Sequence, residues 1–297
     1  MTVNAAPETT ALPRQGTLSI IWQGLTRNKS GFAGAVIVLL ILGLAYIGPF
    51  LIDRHNPSDG AKVWQAPSAE HLLGTNLQGK DTLIKVILGG AEPLWVGILA
   101  ALIAVGVAVV VGSVAGYFRG KVDTVALQLT DITLTIPGIV LMLVLTTMYR
   151  SISATAIAVI IGVTTAPVLV RSIRAQVMSL KEREFVEAAR LQNLGAGRII
   201  FTEILPNMGG YIFVNFILAI NNAIYALVGM YLLGLLPSTA DNWGLMIYES
   251  WNSGAFRLPR ALPYIAVPLA LIILFQIGLV AMSRSLEQAL NPRLRER

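Results

Sequence analysis

The chain has 297 residues, of which 55% are apolar and only 13% are charged, and its formal net charge is +6 at pH 7. So large an apolar share is unusual in soluble globular domains and favours a membrane protein. The sequence contains no cysteine, which excludes disulfides, thiolate catalysis and cysteine metal sites.

Six stretches of at least eighteen residues contain no Asp, Glu, Lys or Arg. They are 31–52, 93–118, 132–149, 151–170, 204–240 and 261–283. A helix of about 20 apolar residues crosses the hydrocarbon core of a bilayer. Lipid offers no partner to an open backbone N–H or C=O group, so such stretches must be helical. We therefore predict an all-α, polytopic membrane protein with six transmembrane helices.

The basic residues predict the orientation of these helices. With the N-terminus placed inside, the 22 Lys and Arg residues divide 15 to 7 in favour of the inner side. The positive-inside rule then places both termini in the cytoplasm. The positive net charge is thereby explained by membrane topology, and no nucleic-acid partner is expected.

Three regions are expected along the chain. Residues 1–30 form a cytoplasmic tail that can hold an interfacial helix over 17–26, because apolar and polar positions mix there ahead of two basic residues. Residues 31–290 form the six-helix domain, with a long outside loop at 53–90 and a cytoplasmic loop at 171–207. Residues 291–297 form a cytoplasmic tail. Pro137 and Gly138 are expected to break the third span.

Polar residues within the spans are candidates for a translocation path, since each must face protein or water rather than lipid. The candidates are Asn215, Asn221, Asn222, Gln276 and Asp131. Hydrogen bonding between helices is the alternative role for each of them. Of these, the adjacent Asn221 and Asn222 at mid-span are the strongest. Asp131 has no ionisable partner within the predicted spans, which argues against a proton relay. The two histidines are too far apart in sequence to suggest a metal site.

The cytoplasmic segment 171–203 mixes six basic and four acidic residues with apolar residues at helical spacing. We predict that Phe185, Ala188, Ala189 and Leu191 share one face of a short helix. Glycines at 195 and 197 are expected to bend the chain into a second short helix. A solvated loop and a docking surface for a cytoplasmic partner both fit this pattern.

Four ordered motifs resemble one transporter family. Residues 187–190 (EAAR), followed by Ile-Ile-Phe at 199–201 and Ile-Leu-Pro-Asn at 204–207, resemble the EAA loop of ATP-binding-cassette importer permeases. The segments 71–81, 115–123 and 290–295 resemble the dipeptide/oligopeptide branch of that family. The chain is thus similar to a C-type permease subunit, and this resemblance implies a type I ABC importer permease fold.

The chain departs from the family pattern at the bend of the EAA loop. The family has Gly six residues after the Glu, where this chain has Asn193, and Gly195 follows two positions later. Asn is one of the few non-glycine residues that tolerate a left-handed backbone, so a bend there remains feasible. Further departures are Leu72, Asn76 and Lys80 in the outside motif, and Glu203 in place of the usual His.

The resemblance implies that this chain forms part of the membrane path and that separate subunits bind ATP. The residues expected to couple this chain to a separate ATPase are Glu187, Ala188, Ala189, Arg190, Asn193 and Gly195. ATP and Mg²⁺ would be bound by two ATPase subunits, whereas this chain would carry no cofactor, no metal and no catalytic residue. Its other partners would be a homologous permease, forming a pseudo-symmetric heterodimer, and an extracytoplasmic substrate-binding protein.

The resemblance also places the chain in a prokaryotic cytoplasmic membrane as a multi-pass protein, importing di- or oligopeptides. Short oligosaccharides or nickel chelates are alternative substrates of the same machinery. A stand-alone, ion-coupled carrier is the alternative from another class, although it would need internal repeats and buried ionisable pairs that the sequence does not indicate.

Overall fold

The computed structural model of the protein describes residues 28–148, 152–236 and 241–290. The predicted interfacial helix over 17–26 and the tail 291–297 lie outside the described residues. No β-strand occurs within the described ranges, whose only extended pairing is a single bridge between Thr75 and Asp81.

The described residues form ten helices of seven or more residues. They are α1 (Lys29–Tyr46), α2 (Thr82–Leu88), α3 (Ala91–Phe118), α4 (Gly120–Thr135), α5 (Gly138–Met148), α6 (Ala154–Leu180), α7 (Glu184–Leu191), α8 (Gly209–Leu232), α9 (Trp243–Asn252) and α10 (Leu262–Leu290). Shorter helical turns lie at Gly48–Leu51, Gly60–Lys62, Ala196–Arg198, Ile199–Ile204, Leu205–Asn207, Ala255–Arg257 and Pro259–Ala261.

The predicted spans correspond to these helices. Five helical segments are long and apolar enough to cross a membrane, and they contain α1, α3, α6, α8 and α10. The sixth span is the pair α4 and α5, bent by 68° at their junction. Pro137 has no N–H to continue a helix, and Ile136 before it takes an extended backbone with ψ of 114°. The prediction of an all-α polytopic membrane protein is confirmed, and its third span is a broken one.

The fourth span is longer than its apolar run. α6 continues to Leu180, ten residues beyond the last residue of the uncharged stretch. Ile173 and Val177 in this extension are 1% and 0% exposed, because they pack against α3. The first part of the predicted cytoplasmic loop is therefore a rigid extension of a membrane helix.

Small residues set the distance between α3 and α6. A Cβ on Gly112 would lie 2.8 Å from the carbonyl oxygen of Val170, and one on Gly116 would lie 2.8 Å from that of Arg174. From the other side, a Cβ on Gly162 would lie 2.8 Å from the carbonyl oxygen of Ala100. Glycines four residues apart let two helix backbones approach closely, which drives helix association in lipid.

The segment between α1 and α3 folds onto α9 and the start of α10. Lys85, whose side chain is 5% exposed, forms ion pairs with Glu249 at 3.3 Å and Asp241 at 3.7 Å. The Tyr264 hydroxyl donates a hydrogen bond to Glu249, and the Trp64 ring packs edge-on against Tyr264 at 5.6 Å. This cluster joins α2, α9 and α10 at one end of the helices.

Candidate functional site

The predicted coupling residues lie on α7 and in the bend that follows it. The backbone of Asn193 is left-handed, with φ of 56°, whereas Gly195 has φ of −64°. The Asn193 N–H donates to the Arg190 carbonyl at 2.9 Å, and the Leu194 N–H donates to the Ala189 carbonyl at 3.2 Å. This pair of bonds is a Schellman motif, which ends a helix around a left-handed residue. The bend therefore falls at the position where the family has glycine.

The faces of α7 differ from those predicted. Val186 and Ala189 are 0% and 4% exposed and pack into the main hydrophobic core. Leu191 is instead 80% exposed, and Ala188 is also exposed. The prediction that Phe185, Ala188, Ala189 and Leu191 share one face is wrong, because Ala189 faces the core whereas Ala188 and Leu191 face solvent.

Four of the exposed residues of α7 form a continuous stripe. They recur at i, i+3, i+4 and i+7, the spacing of one helix face, and they are Glu184, Glu187, Ala188 and Leu191. We name these four residues the α7 stripe. It combines two carboxylates, a small residue and a large apolar side chain.

The inner side of α7 is joined to the end of α3 through Tyr117. The Lys181 ammonium donates to the Tyr117 carbonyl at 2.7 Å. The Arg190 guanidinium lies 5.8 Å from the centre of the Tyr117 ring, within cation–π range. Burial lowers the pKa of Lys181, and the neighbouring Arg119 adds to that effect. Arg119 also pairs with Glu182 at 2.9 Å. Arg190 thus contacts Tyr117, which lies at the end of α3.

A helical run connects the bend to α8. A π-helical turn occupies Ile199–Ile204, and the turn Leu205–Asn207 follows before α8 begins at Gly209. Ile199 and Ile204 are 1% and 0% exposed, so this run is anchored in the core. π-turns inside helices are rare and occur often at functional sites.

Asp131 does have an ionisable partner. It forms an ion pair with Arg171 on α6, and Arg171 Nε also lies 3.4 Å from the Thr130 hydroxyl. Asp123 pairs with Arg174 one turn along α6. The expectation that Asp131 is unpartnered was wrong, because α6 continues past the apolar run and places Arg171 opposite α4.

The polar candidates on α8 divide between two faces. Asn222 is exposed, in line with the exposed Tyr211, Leu218 and Tyr225. The partly exposed Asn215 belongs to the same face and donates to the Tyr211 carbonyl at 2.9 Å. We name Tyr211, Asn215, Leu218, Asn222 and Tyr225 the α8 stripe. The sequence prediction missed its tyrosines, although their three- and four-residue spacing from the asparagines is visible in the sequence.

Asn221, by contrast, is 8% exposed and lines a cleft of about 370 Å³ between α1, α8 and α10. Gln276 on α10 lines the same cleft, and its Oε1 accepts a hydrogen bond from the Tyr225 hydroxyl. The structure thus brings together two path candidates that are 55 residues apart in sequence. The adjacent Asn221 and Asn222 do not share a site. Among the described residues, no group of three or more His, Asp or Glu side chains could hold a metal ion.

Comparison with known proteins defines the family. A family profile described as "Binding-protein-dependent transport system inner membrane component" matches residues 108–296. The chain belongs to this family. A second profile, "N-terminal TM domain of oligopeptide transport permease C", matches residues 17–67 of the permease. The predicted resemblance to the oligopeptide and dipeptide branch is therefore confirmed.

Several curated relatives align over nearly the full length of this permease. It is 31% identical to the dipeptide transport system permease protein DppC of Bacillus subtilis, covering 92% of this chain and 85% of that protein. It is 27% identical to the oligopeptide transport system permease protein OppC of Mycobacterium tuberculosis, covering 93% and 95%. It is 28% identical to the di/tripeptide transport system permease protein DppC of Pseudomonas aeruginosa, covering 98% and 97%.

Proposed function

We propose that this permease is one of two transmembrane subunits of a peptide importer, and that ATP hydrolysis on separate subunits drives it through α7. The observation that carries the proposal is the α7 stripe. Leu191 is 80% exposed at the tip of a short helix outside the apolar spans, beside two carboxylates and a small alanine. A docked ATPase would bury Leu191, approach closely over Ala188 and make polar contacts with Glu184 and Glu187.

The fold supplies two routes by which force on α7 reaches the membrane helices. One runs from Arg190 and Lys181 through Tyr117 into α3. The other runs along the chain from the Asn193 bend through the π-turn Ile199–Ile204 into α8. Because α3 packs directly against α6 and α8, both routes act on the same group of packed helices. A push on α7 would therefore move these helices together.

The α8 stripe supports a second homologous permease as the partner. Asparagine side chains exposed on a transmembrane helix are unfavourable against lipid and are expected to face protein or a water-filled cavity. A single chain with this few polar positions cannot surround a hydrophilic path. We infer that the path lies between two permeases, with the α8 stripe along it.

The name of the family supports dependence on a binding protein, and the names of the curated relatives favour peptides as substrate. Short oligosaccharides and nickel chelates remain the alternatives within the same machinery. The distribution of basic residues supports cytoplasmic termini. The family description as an inner membrane component supports a prokaryotic cell membrane. ATP and Mg²⁺ belong to the ATPase subunits in this scheme.

The decisive experiment reconstitutes the permease with its partner permease, both ATPases and the binding protein, and measures ATP hydrolysis and peptide uptake together. The double variant Glu187→Arg, Ala188→Trp should insert normally and lose uptake at least tenfold while ATP hydrolysis continues. Lys121→Glu is the matched control, because it reverses an exposed charge in the first turn of α4 without touching α7. Wild-type uptake by the double variant would refute the docking assignment. Accumulation of solute by this chain alone would favour the ion-coupled carrier.

A further inference from the structure

The backbone of Arg119, directly after the last residue of α3, is strained. Its φ is 56° and its ψ is −162°, a region that glycine adopts readily and that other residues almost never occupy. Gly120 follows with φ of 59°, so the chain turns sharply from α3 into α4. Residues held in such a conformation cluster at ligand-binding and switch sites. The Arg119 side chain is therefore a candidate for a ligand contact.

Two further cations lie close to Arg119, around the Tyr117 ring. The Lys181 ammonium lies 5.7 Å from the centre of that ring, and the Arg190 guanidinium lies 5.8 Å from it. Burial lowers the pKa of Lys181, and the charges of Arg119 and Arg190 lower it further, so the three cations share one site. Glu182 pairs with Arg119 at 2.9 Å and offsets one charge. Three cations and one carboxylate leave a net charge of +2.

Arg119 and Lys181 keep donors for a ligand. Among the described residues, each of the two side chains donates one hydrogen bond. A guanidinium carries five N–H donors and an ammonium carries three, so most of them remain available. The Arg119 side chain is 46% exposed, and Lys181 is partly exposed. The neighbouring Asp123 and Arg174 pair with each other and add no net charge. An anion can therefore reach this site and gain hydrogen bonds there.

An apolar stripe on α3 leads to these cations. Its members recur at i, i+3, i+4, i+7 and i+11 and are each at least 36% exposed, and they are Val107, Val110, Val111, Val114 and Phe118. We name these five residues the α3 stripe. The Phe118 ring packs edge-on against the Tyr117 ring at 5.3 Å, so the stripe ends beside the cations. Because α3 is long and apolar enough to cross a membrane, its first charge after Phe118 falls at the depth of the lipid headgroups.

We propose that this end of α3 binds an anionic phospholipid, with the phosphate on Arg119 and Lys181 and an acyl chain along the α3 stripe. Basic pockets between membrane helices bind phospholipid headgroups in this way. A soluble phosphate compound would use the cations but leave the stripe uncovered. A zwitterionic lipid would cover the stripe but bring a positive charge of its own toward the cations. The site shares no residue with the α7 stripe, so a bound lipid leaves the docking face of α7 free.

The test adds lipids to the purified full-length chain in a neutral detergent and measures bound lipid by native mass spectrometry. Phosphatidylglycerol should bind at least fivefold more tightly than phosphatidylcholine. Arg119→Gly and Lys181→Gln should each weaken phosphatidylglycerol binding about fivefold, the equivalent of about 1 kcal/mol per basic residue near an anionic lipid. Glycine accepts the backbone at position 119 without strain, so the unfolding midpoint of Arg119→Gly should not fall. Arg198→Gln is the matched control, because it removes an exposed guanidinium beyond the Asn193 bend.

Three results would overturn the proposal. Equal binding of phosphatidylglycerol by Arg119→Gly and the wild type would show that this guanidinium does not hold the headgroup. Equal binding of glycerol 3-phosphate and phosphatidylglycerol would reveal a site for free phosphate in which the α3 stripe has no part. Loss of phosphatidylglycerol binding when the second permease and the ATPases assemble would assign this surface to a partner subunit. Peptide import is tested separately, since lipid binding is measured without ATP or substrate.

Discussion

Arg171 on α6 and Asp131 on α4 form an ion pair across two neighbouring membrane helices. Together with the pair between Arg174 and Asp123, it holds the first half of the broken span against α6. The bent span thus has a fixed half, α4, and a second half, α5, that begins beyond Pro137.

Removing one member of this pair should be more damaging than removing both. Asp131→Ala leaves an unpaired guanidinium between helices, and we expect a loss of about 1 kcal/mol in stability, since both side chains are partly exposed. The double variant Asp131→Ala, Arg171→Ala should recover part of that loss. Unfolding of the purified protein measures all three, and strictly additive losses would contradict the pairing.

Gly34 and Gly278 mark the closest approach of α1 and α10. A Cβ on Gly34 would lie 2.6 Å from the Gly278 carbonyl oxygen, and one on Gly278 would lie 2.9 Å from that of Gly34. Gly34→Ala should therefore cost about 1–3 kcal/mol, as overpacking does elsewhere. Gly43→Ala is the control on the same helix, because nothing lies within 4 Å of its Cβ. Thermal unfolding that treats both variants alike would disprove the close contact.

The left-handed backbone at Asn193 predicts which substitutions at this position are tolerated and which are not. Asn193→Gly should behave like the wild type, because glycine accepts φ of 56° without strain. Asn193→Val should cost about 1–2 kcal/mol locally, and uptake should fall while the ATPase subunits remain bound. Gln192→Val serves as the control, since the φ of Gln192 is −79°. Full uptake in Asn193→Val would show that the bend does not transmit force.

Lys85 is the buried centre of the cluster that joins α2, α9 and α10. Lys85→Met removes the cation between Glu249 and Asp241 and leaves two carboxylates facing each other. A fully buried pair loses about 3–5 kcal/mol on such a change. We expect about 2 kcal/mol here, because the two carboxylates are 23% and 37% exposed. Lys121→Met, at an exposed position in the first turn of α4, should leave the unfolding midpoint unchanged.

Hydropathy and proline placement were sufficient to predict the six spans and the break at Pro137, because lipid leaves the backbone no other choice. The orientation of α7 could not be predicted, since periodicity defines faces without showing which face meets the protein. Here the π-turn packs against α7, and Val186 and Ala189 lie in the core. Likewise, Arg171 ended an apolar run, but Ile173 and Val177 kept the helix packed beyond it. Charge marks the limit of an apolar run, whereas packing decides where its helix ends.

The kink between α4 and α5 decides whether the chain crosses the membrane an even or an odd number of times. The Thr135 hydroxyl donates to the Ile132 carbonyl, which replaces the bond lost where Ile136 leaves the helix. With the Ile132 carbonyl satisfied in this way, the pair can cross the bilayer as one bent unit. Counting only the five long helices would put the two chain ends on opposite sides of the membrane, whereas the kinked pair returns them to the same side. A reporter fused at either end would then give the same signal.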